Sequence, residues 1–351
     1  MVLVFFSRLI PPLWLDIYAN FWHQRVSKWT YHLVKNVAMA PLRQPDSFMV
    51  RAYQIGRVFM RFRALGFLQV LLAFLCFAFT PNQGWSTDHS NPHANFFKDV
   101  QARLLEEGFN QGTLERLYDK PDVRFDVENV SLFFVHSEAR VDYEQFTTWR
   151  AIRKARKYID AHERELQYAK ATYRVDPEVI TAILLVETQL GTYMGRSRVF
   201  NVLSTMAALN DPGARNVLYK ELPPKRRYSR AKFEKKADWR TKWAFKELVA
   251  FIHYTAREDL ETTRVTGSYA GAIGIAQFMP TNAYKMAQDG NGDGRKNLYE
   301  HADAIASVAY YLKYHGWKPG ISAKKQHRMV LHYNNSDVYA NTVLKIAKKL
   351  K

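Results

Sequence analysis

From Asn95 onward the apolar residues recur at helical spacing. Phe96, Val100, Leu104 and Leu105 share one face and predict a first helix, and Trp149 to Tyr173 continues the pattern through Ile152, Ala155, Ile159, Leu166 and Ala169. Asp176-Pro177-Glu178 is a helix start, with aspartate at the N-cap and proline at the first helical position, and Gly191 is placed to close that helix. Trp239 to Ala256 resumes a helix through Trp243, Leu248, Ile252 and His253. The last helix begins after Ser336, whose hydroxyl can take a free backbone N–H. Asp337 in its first turn and Lys345, Lys348, Lys349 and Lys351 toward its end match the helix dipole. Pro223-Pro224-Lys225-Arg226-Arg227 and the basic run to Lys236 read as a surface loop. The fold class expected is mainly α, an α-rich α+β arrangement.

Upstream the pattern changes. Ala64 to Phe79 carries no charge and follows Arg61 and Arg63, the layout of an export signal. It is shorter than the about 20 residues of a spanning helix, with its basic flank on the N-terminal side. Residues 1–63 are basic and without a clear period, so Met49 or Met60 is expected to be the start of translation. The organisation expected is a basic extension over 1–63, a signal peptide or signal anchor over 64–80, a linker over 81–94 and a folded domain over 95–351. No clean A-x-A site precedes Pro81, so cleavage and retention as a membrane anchor both stay open. Cys76 is the one cysteine, which excludes an intrachain disulfide framework and a CxxC site.

The chain has 351 residues, room for about two domains. Hydrophobic residues at 47% and charged residues at 24% exclude a disordered chain and a polytopic membrane protein. Lysine and arginine number 51 against 33 aspartates and glutamates, and the formal charge of +18 inclines the protein toward anionic surfaces. No zinc-finger, RNP or helix-turn-helix signature accompanies that charge, and an export signal argues against nucleic acid as a partner.

Three segments carry candidate chemistry. At about 100° per residue with Val179 as zero, Ile183, Ile180 and Leu184 span an apolar stripe, and Glu187 falls near 80°, in its middle. A carboxylate buried there either pairs with a base such as arginine or takes up a proton and has a raised pKa, which suits a general acid. Thr266 to Pro280 is rich in glycine and alanine around Ser268 and Gln277, a composition that fits a tightly packed turn or a groove approached closely by another chain. Gln277-Phe278-Met279-Pro280 sets a polar amide beside apolar surface. Asp289 to Glu300 fits the EF-hand-like pattern D-x-[DN]-x-[DN]-G-x5-E at every fixed position. Asp289, Asn291, Asp293, the backbone carbonyl of Arg295, Asn297 and Glu300 are its expected calcium ligands, against the alternative of a solvated turn. The ion would be structural, and no organic cofactor is expected.

Taken together, three ordered motifs resemble the membrane-bound lytic murein transglycosylase B family. They are Asp176-Pro177-Glu178 through Val186-Glu187-Thr188 to Gly191 and Met194-Gly195, then Gly267-Ser268-Tyr269-Ala270-Gly271-Ala272 to Gln277-Phe278-Met279-Pro280, and Tyr333-Asn334-Asn335-Ser336. The resemblance covers roughly residues 95 to 350. It implies a lysozyme-like catalytic domain that cleaves the MurNAc–GlcNAc β-1,4 bond of peptidoglycan glycan strands, with a similar calcium loop at this place.

By the same resemblance the catalytic glutamate falls on Glu187, and substrate-binding residues on Ser268, Gln277, Phe278, Tyr333 and Asn334. It also implies the mechanism, in which one glutamate is acid and then base and the product is a 1,6-anhydro-MurNAc end. The basic Pro223 to Lys236 segment departs from the family pattern. The location implied is exported and periplasmic, with association to the membrane through the N-terminal hydrophobic segment. Two rivals remain: a muramidase that hydrolyses with water, and a noncatalytic, calcium-stabilised wall-binding scaffold. Trp239, Trp243, Tyr228 and Trp317 have the chemistry to stack on sugars, but tryptophans and tyrosines on helices more often belong to a core.

Overall fold

The protein is described by a computed structural model over residues 94–137 and 141–351. Apart from Ala94, the expected extension, hydrophobic segment with Cys76 and linker lie outside the described residues. The described residues fall in one unit, Asp88–Lys351.

Helices α1 (Lys98–Glu106), α2 (Gln111–Tyr118) and α3 (Val127–Phe134) come first, the last two started by Asn110 and Asp126 as side-chain caps. The first differs from expectation at one position. Leu105 is 43% exposed, and Phe97 joins Val100 and Leu104 in the core instead, because that trio keeps the spacing of one face. Trp149 to Tyr173 is two helices, α4 (Trp149–Ala161) and α5 (Glu163–Tyr173), and the break at His162 falls where its ring packs on Tyr158 and His301.

Helix α6 (Pro177–Thr188) starts with Asp176 at the N-cap and Pro177 inside, as expected. Val179 through Leu185 are all buried, so the helix is enclosed on every side and the apolar stripe is wider than its sequence pattern. It ends before Gly191, with Gln189 and Leu190 both at positive φ. Helix α7 (Val199–Ala207) is buried along its whole length, and α8 (Pro212–Glu221) follows from an Asp211 cap.

The basic run is not a loop throughout. Ser229 caps α9 (Arg230–Arg257), so Arg230 to Lys236 are helical, and in the non-helical part Arg227 Nε donates to the carbonyl of Leu222 beyond the end of α8 at 3.1 Å. Helices α10 (Pro280–Met286), α11 (His301–Tyr314), α12 (Ala323–Tyr333) and α13 (Asp337–Leu350) complete the chain, the last capped by Ser336 as expected.

Helix α7 lies on α9, while α6 is packed against α4, α5, α11 and α13. Each fully buried Leu, Ile or Val in these contacts contributes about 1.5–3 kcal/mol. The β part is small: β1 (Ser197–Arg198) pairs antiparallel with β2 (Thr266–Gly267), and bridges continue from Gly267 to Ile273 and from Ile273 to Phe278. No helix among the described residues is long and apolar enough to cross a membrane.

Thr188 joins the end of α6 to that β segment. Its hydroxyl donates to the Ile275 carbonyl at 2.8 Å and accepts from the Gly191 N–H at 2.9 Å, and the residue is 1% exposed. Thr188→Val keeps the shape and strands two polar groups, so it should cost about 1–3 kcal/mol. An unchanged midpoint in denaturant unfolding would contradict this role.

Candidate active site

Glu187 stands in the last turn of α6 and is half-buried. Its Oε1 accepts the hydroxyl of Tyr339 at 2.6 Å. Tyr339 is 1% exposed and lies in the first turn of α13, which packs along α6. A tyrosine hydroxyl is thus one partner of the carboxylate. Burial first, and the charge of Glu187 second, hold Tyr339 and Tyr333 well above the usual tyrosine range, so both keep their protons. Tyr333 donates to the carbonyl of Ala276, with its ring parallel to that of Tyr339 at 6.5 Å.

A cleft of about 350 Å³ opens beside Glu187. Helix α3 contributes Glu128, Asn129 and Leu132 to its lining; Ser268, Tyr269 and Gln277 come from the glycine-rich segment. Asn129 ties α3 to β1 by accepting the Ser197 hydroxyl at 2.8 Å. Glycine is required where the walls meet. At Gly195, φ is +90° and a Cβ would stand 2.1 Å from the Gly267 carbonyl oxygen; at Gly274, φ is +70° and a Cβ would meet the Leu298 carbonyl oxygen at 2.4 Å.

The polar groups facing the cleft are oriented by the backbone. Ser268 Oγ accepts the N–H of Ala272 at 3.0 Å and of Ala270 at 3.3 Å, which leaves its proton to donate. Gln277 has φ of +48°, and its Nε2 donates to the Gly274 carbonyl at 2.9 Å and the Met194 carbonyl at 3.2 Å, leaving Oε1 as an acceptor. Serine and glutamine therefore form a donor and acceptor pair near one carboxylate.

The other expected substrate residues do not line this cleft. Phe278 is 2% exposed and packs on Tyr311 and Tyr333, because its Cβ falls on the core side of the bridge to Ile273. Tyr333 and Asn334 are not among the residues that line the cleft. Tyr339 escaped the sequence reading, although Tyr339, Val343 and Ile346 make a buried stripe that the helical period of α13 would have exposed. Glu128 had no signal at all, since a glutamate in a first turn is also what the helix dipole favours.

The Asp289 to Glu300 loop connects α10 and α11. Asp289 Oδ1 and Oδ2 accept the N–H groups of Gly292 and Gly294 at 2.6 and 2.8 Å, and Asn291 and Asn297 side-chain amides both meet the Glu300 carboxylate, at 2.9 and 2.8 Å. Among the described residues no three His, Cys, Asp or Glu side chains form a cluster ready for a metal, so the full shell expected from the pattern is not preassembled. The donors themselves include hard oxygens of the right kind, and the amide oxygens of Asn291 and Asn297 accept the N–H groups of Asp293 and Tyr299 at 3.0 and 3.1 Å. The loop is joined to the cleft segment: Ile275 N–H donates to Leu298 at 2.9 Å and the Tyr299 hydroxyl to Thr266 at 2.6 Å.

The family described as Transglycosylase SLT domain matches residues 92–325. The chain belongs to that family. It is 33% identical over 163 residues to the membrane-bound lytic murein transglycosylase B of Escherichia coli K12, a stretch that covers 46% of this chain and 38% of that protein. The chain thus spans well under two thirds of that relative. Solved structures share the fold. The soluble lytic transglycosylase SltB1 of Pseudomonas aeruginosa has a TM-score of 0.58 at 24% identity, covering 73% of this chain and 97% of that one. Slt35 of Escherichia coli, in complex with calcium, has a TM-score of 0.57 at 22% identity, covering 74% and 93%. SltB3 of Pseudomonas aeruginosa, in complex with NAG-NAM-pentapeptide, has a TM-score of 0.58 at 21% identity, covering 73% and 79%.

The hydrogen bond from Tyr339 favours the ionised form of Glu187. Tyr339→Phe should therefore move the titration of the Glu187 carboxyl, followed by carbon NMR, to higher pH. A titration that stays in place would mean that the bond does not form in solution.

Proposed function

We propose that the protein is a peptidoglycan lytic transglycosylase that cleaves the MurNAc–GlcNAc β-1,4 bond and leaves a 1,6-anhydro-MurNAc end. Membership of the family supports the reaction class, and the observation that carries the reading to residues is Glu187 on the cleft, held by Tyr339. Glu187 protonates the glycosidic oxygen as the C1–O bond breaks. As a carboxylate it then removes the proton of the C6 hydroxyl, whose oxygen closes on C1, so that no water is consumed. Ser268 donates to, and Gln277 accepts from, an amide of the sugar such as the N-acetyl group, which fixes the ring for intramolecular attack. Tyr333 acts behind the glutamate. The single-carboxylate mechanism has to accommodate Glu128, which also lines the cleft. Glu128 is exposed in the first turn of α3 and is assigned no proton transfer.

The Asp289 to Glu300 loop is proposed to take calcium through Asp289, Asn291, Asp293, the Arg295 carbonyl, Asn297 and Glu300. The ion would neutralise the crowded carboxylates and stiffen the loop that holds the Gln277 segment. The Ala64 to Phe79 segment supports export to the periplasm, where the net charge of +18 favours the anionic envelope.

Glu187→Gln should retain the fold and lose nearly all turnover of purified wall, while Glu128→Gln keeps products one water lighter than hydrolysis would give, as read by mass spectrometry. Hydrated ends from the unaltered protein would instead establish the muramidase rival, and full activity of Glu187→Gln would remove Glu187 from the chemistry.

Calcium at 100 times its dissociation constant should stabilise the protein by about 2.7 kcal/mol, seen as a higher Tm than in chelator. Asp289→Asn combined with Glu300→Gln should abolish the shift. Equal melting with calcium and with chelator in the unaltered protein would refute the site.

A further inference from the structure

Helix α9 presents a surface that the reaction does not use. Trp239 is 58% exposed and stacks on Trp243 at 6.1 Å with 8° between the planes. Trp243 stacks on Phe133 at 5.9 Å, and Phe133 meets Tyr269 of the cleft lining at 6.5 Å. An aromatic path therefore runs from the candidate active site out to Trp239.

The same face carries positive charge. The Arg240 guanidinium lies 4.1 Å from the Phe133 ring centroid and 4.6 Å from that of Trp239, and its Nε is buried without a hydrogen-bond partner among the described residues. Burial pulls its pKa below the usual arginine range, opposed in part by Tyr228. Lys236 and Lys232 follow at one-turn intervals, and Lys236 is likewise lowered, by burial first and then by Arg240 and Lys232. Like charges one turn apart repel, and the planar fork of an arginine set among rings offers donors to an incoming acceptor. Asp238, next in sequence to Trp239, is engaged elsewhere, with Arg215 at 2.7 Å.

We propose that Trp239, Arg240 and Lys236 form a binding site for the carboxylate-bearing stem peptide of the glycan strand that occupies the cleft. The proposal rests on the function proposed above and adds to it a second contact with the same substrate. Two features select this occupant: the aromatic path is continuous with the cleft, and the cations call for an anion. In a strand with stems the lactyl carboxyl of MurNAc is already an amide, so the stem supplies the free carboxylates. The carboxylate accepts from the guanidinium while the rings cover the aliphatic part of the peptide.

The test uses the full chain carrying Glu187→Gln, so that bound strands are not consumed. It measures affinity for soluble strands with free stem carboxylates and for the same strands after carboxylate amidation. Arg240→Leu should weaken binding of the first about tenfold and of the second by less than about twofold, and Trp239→Ala should weaken both. Arg240→Lys, which keeps the charge, should recover part of the loss. Equal effects of Arg240→Leu on the two strands, or none on either, would overturn the stem site and leave the functional reading standing. Binding of neither strand by the Glu187→Gln parent would overturn both.

Discussion

A carboxylate at the end of a helix enclosed on every side is the constraint around which this protein is arranged. Helix α6 has no solvent face from Val179 to Leu185, so the chain emerges into the cleft only at its final turn. Glu187 there accepts a hydrogen bond from within and faces the cleft in front. Tyr339 supplies the donor at 2.6 Å, from a hydroxyl too buried to ionise. A lysine or arginine in that place would have held the carboxylate far more firmly in its charged form, and a wholly apolar surround would have left it undersatisfied. The neutral hydroxyl of Tyr339 satisfies one lone pair of the carboxylate without adding a charge beside it.

The second element of the site is held to the first by backbone rather than by side-chain packing. Thr188 bonds to Ile275, Gln277 bonds to Met194, and Gly195 lies against Gly267 at a distance no Cβ would allow. Small residues in this segment thus have a direct mechanical meaning, since they bring two chains close enough for main-chain carbonyls to orient Ser268 and Gln277. On its far side the segment bonds to Leu298 and Tyr299. The loop and the cleft segment are consequently joined by direct hydrogen bonds at both Leu298 and Tyr299.

What could be read in the sequence follows from which signals are local. The N-cap at Ser336, the start of α6 and the position of Glu187 on a buried face are set within one or two helical turns, and the structure bears them out. The break at His162 was hidden because it depends on contact with His301, far along the chain. The helical state of Arg230 to Lys236 was masked by charge, which resembles a loop until the Ser229 cap and the Arg215–Glu234 pair are seen. Phe278 was read toward the substrate for want of the bridge to Ile273 that turns it into the core. Glu128 and Tyr339 entered the site through packing between distant helices, which one sequence does not record.

The basic composition also divides by role. Arg227 is spent on carbonyls at the end of α8, and Arg215, with its side chain 16% exposed, holds Glu234 and Asp238 at 2.7 Å each. Exposed charges elsewhere act over a screening length of about 8 Å at physiological salt, enough to favour approach to an anionic surface but not to choose a group upon it. Arg240 differs because rings surround it. In that lower dielectric a single contact with an anion is worth more, and its direction is fixed by the planar fork of the guanidinium. The net charge thus favours anionic surfaces in general without choosing a group upon them, and direction falls to the few cations that the fold has taken partly out of water.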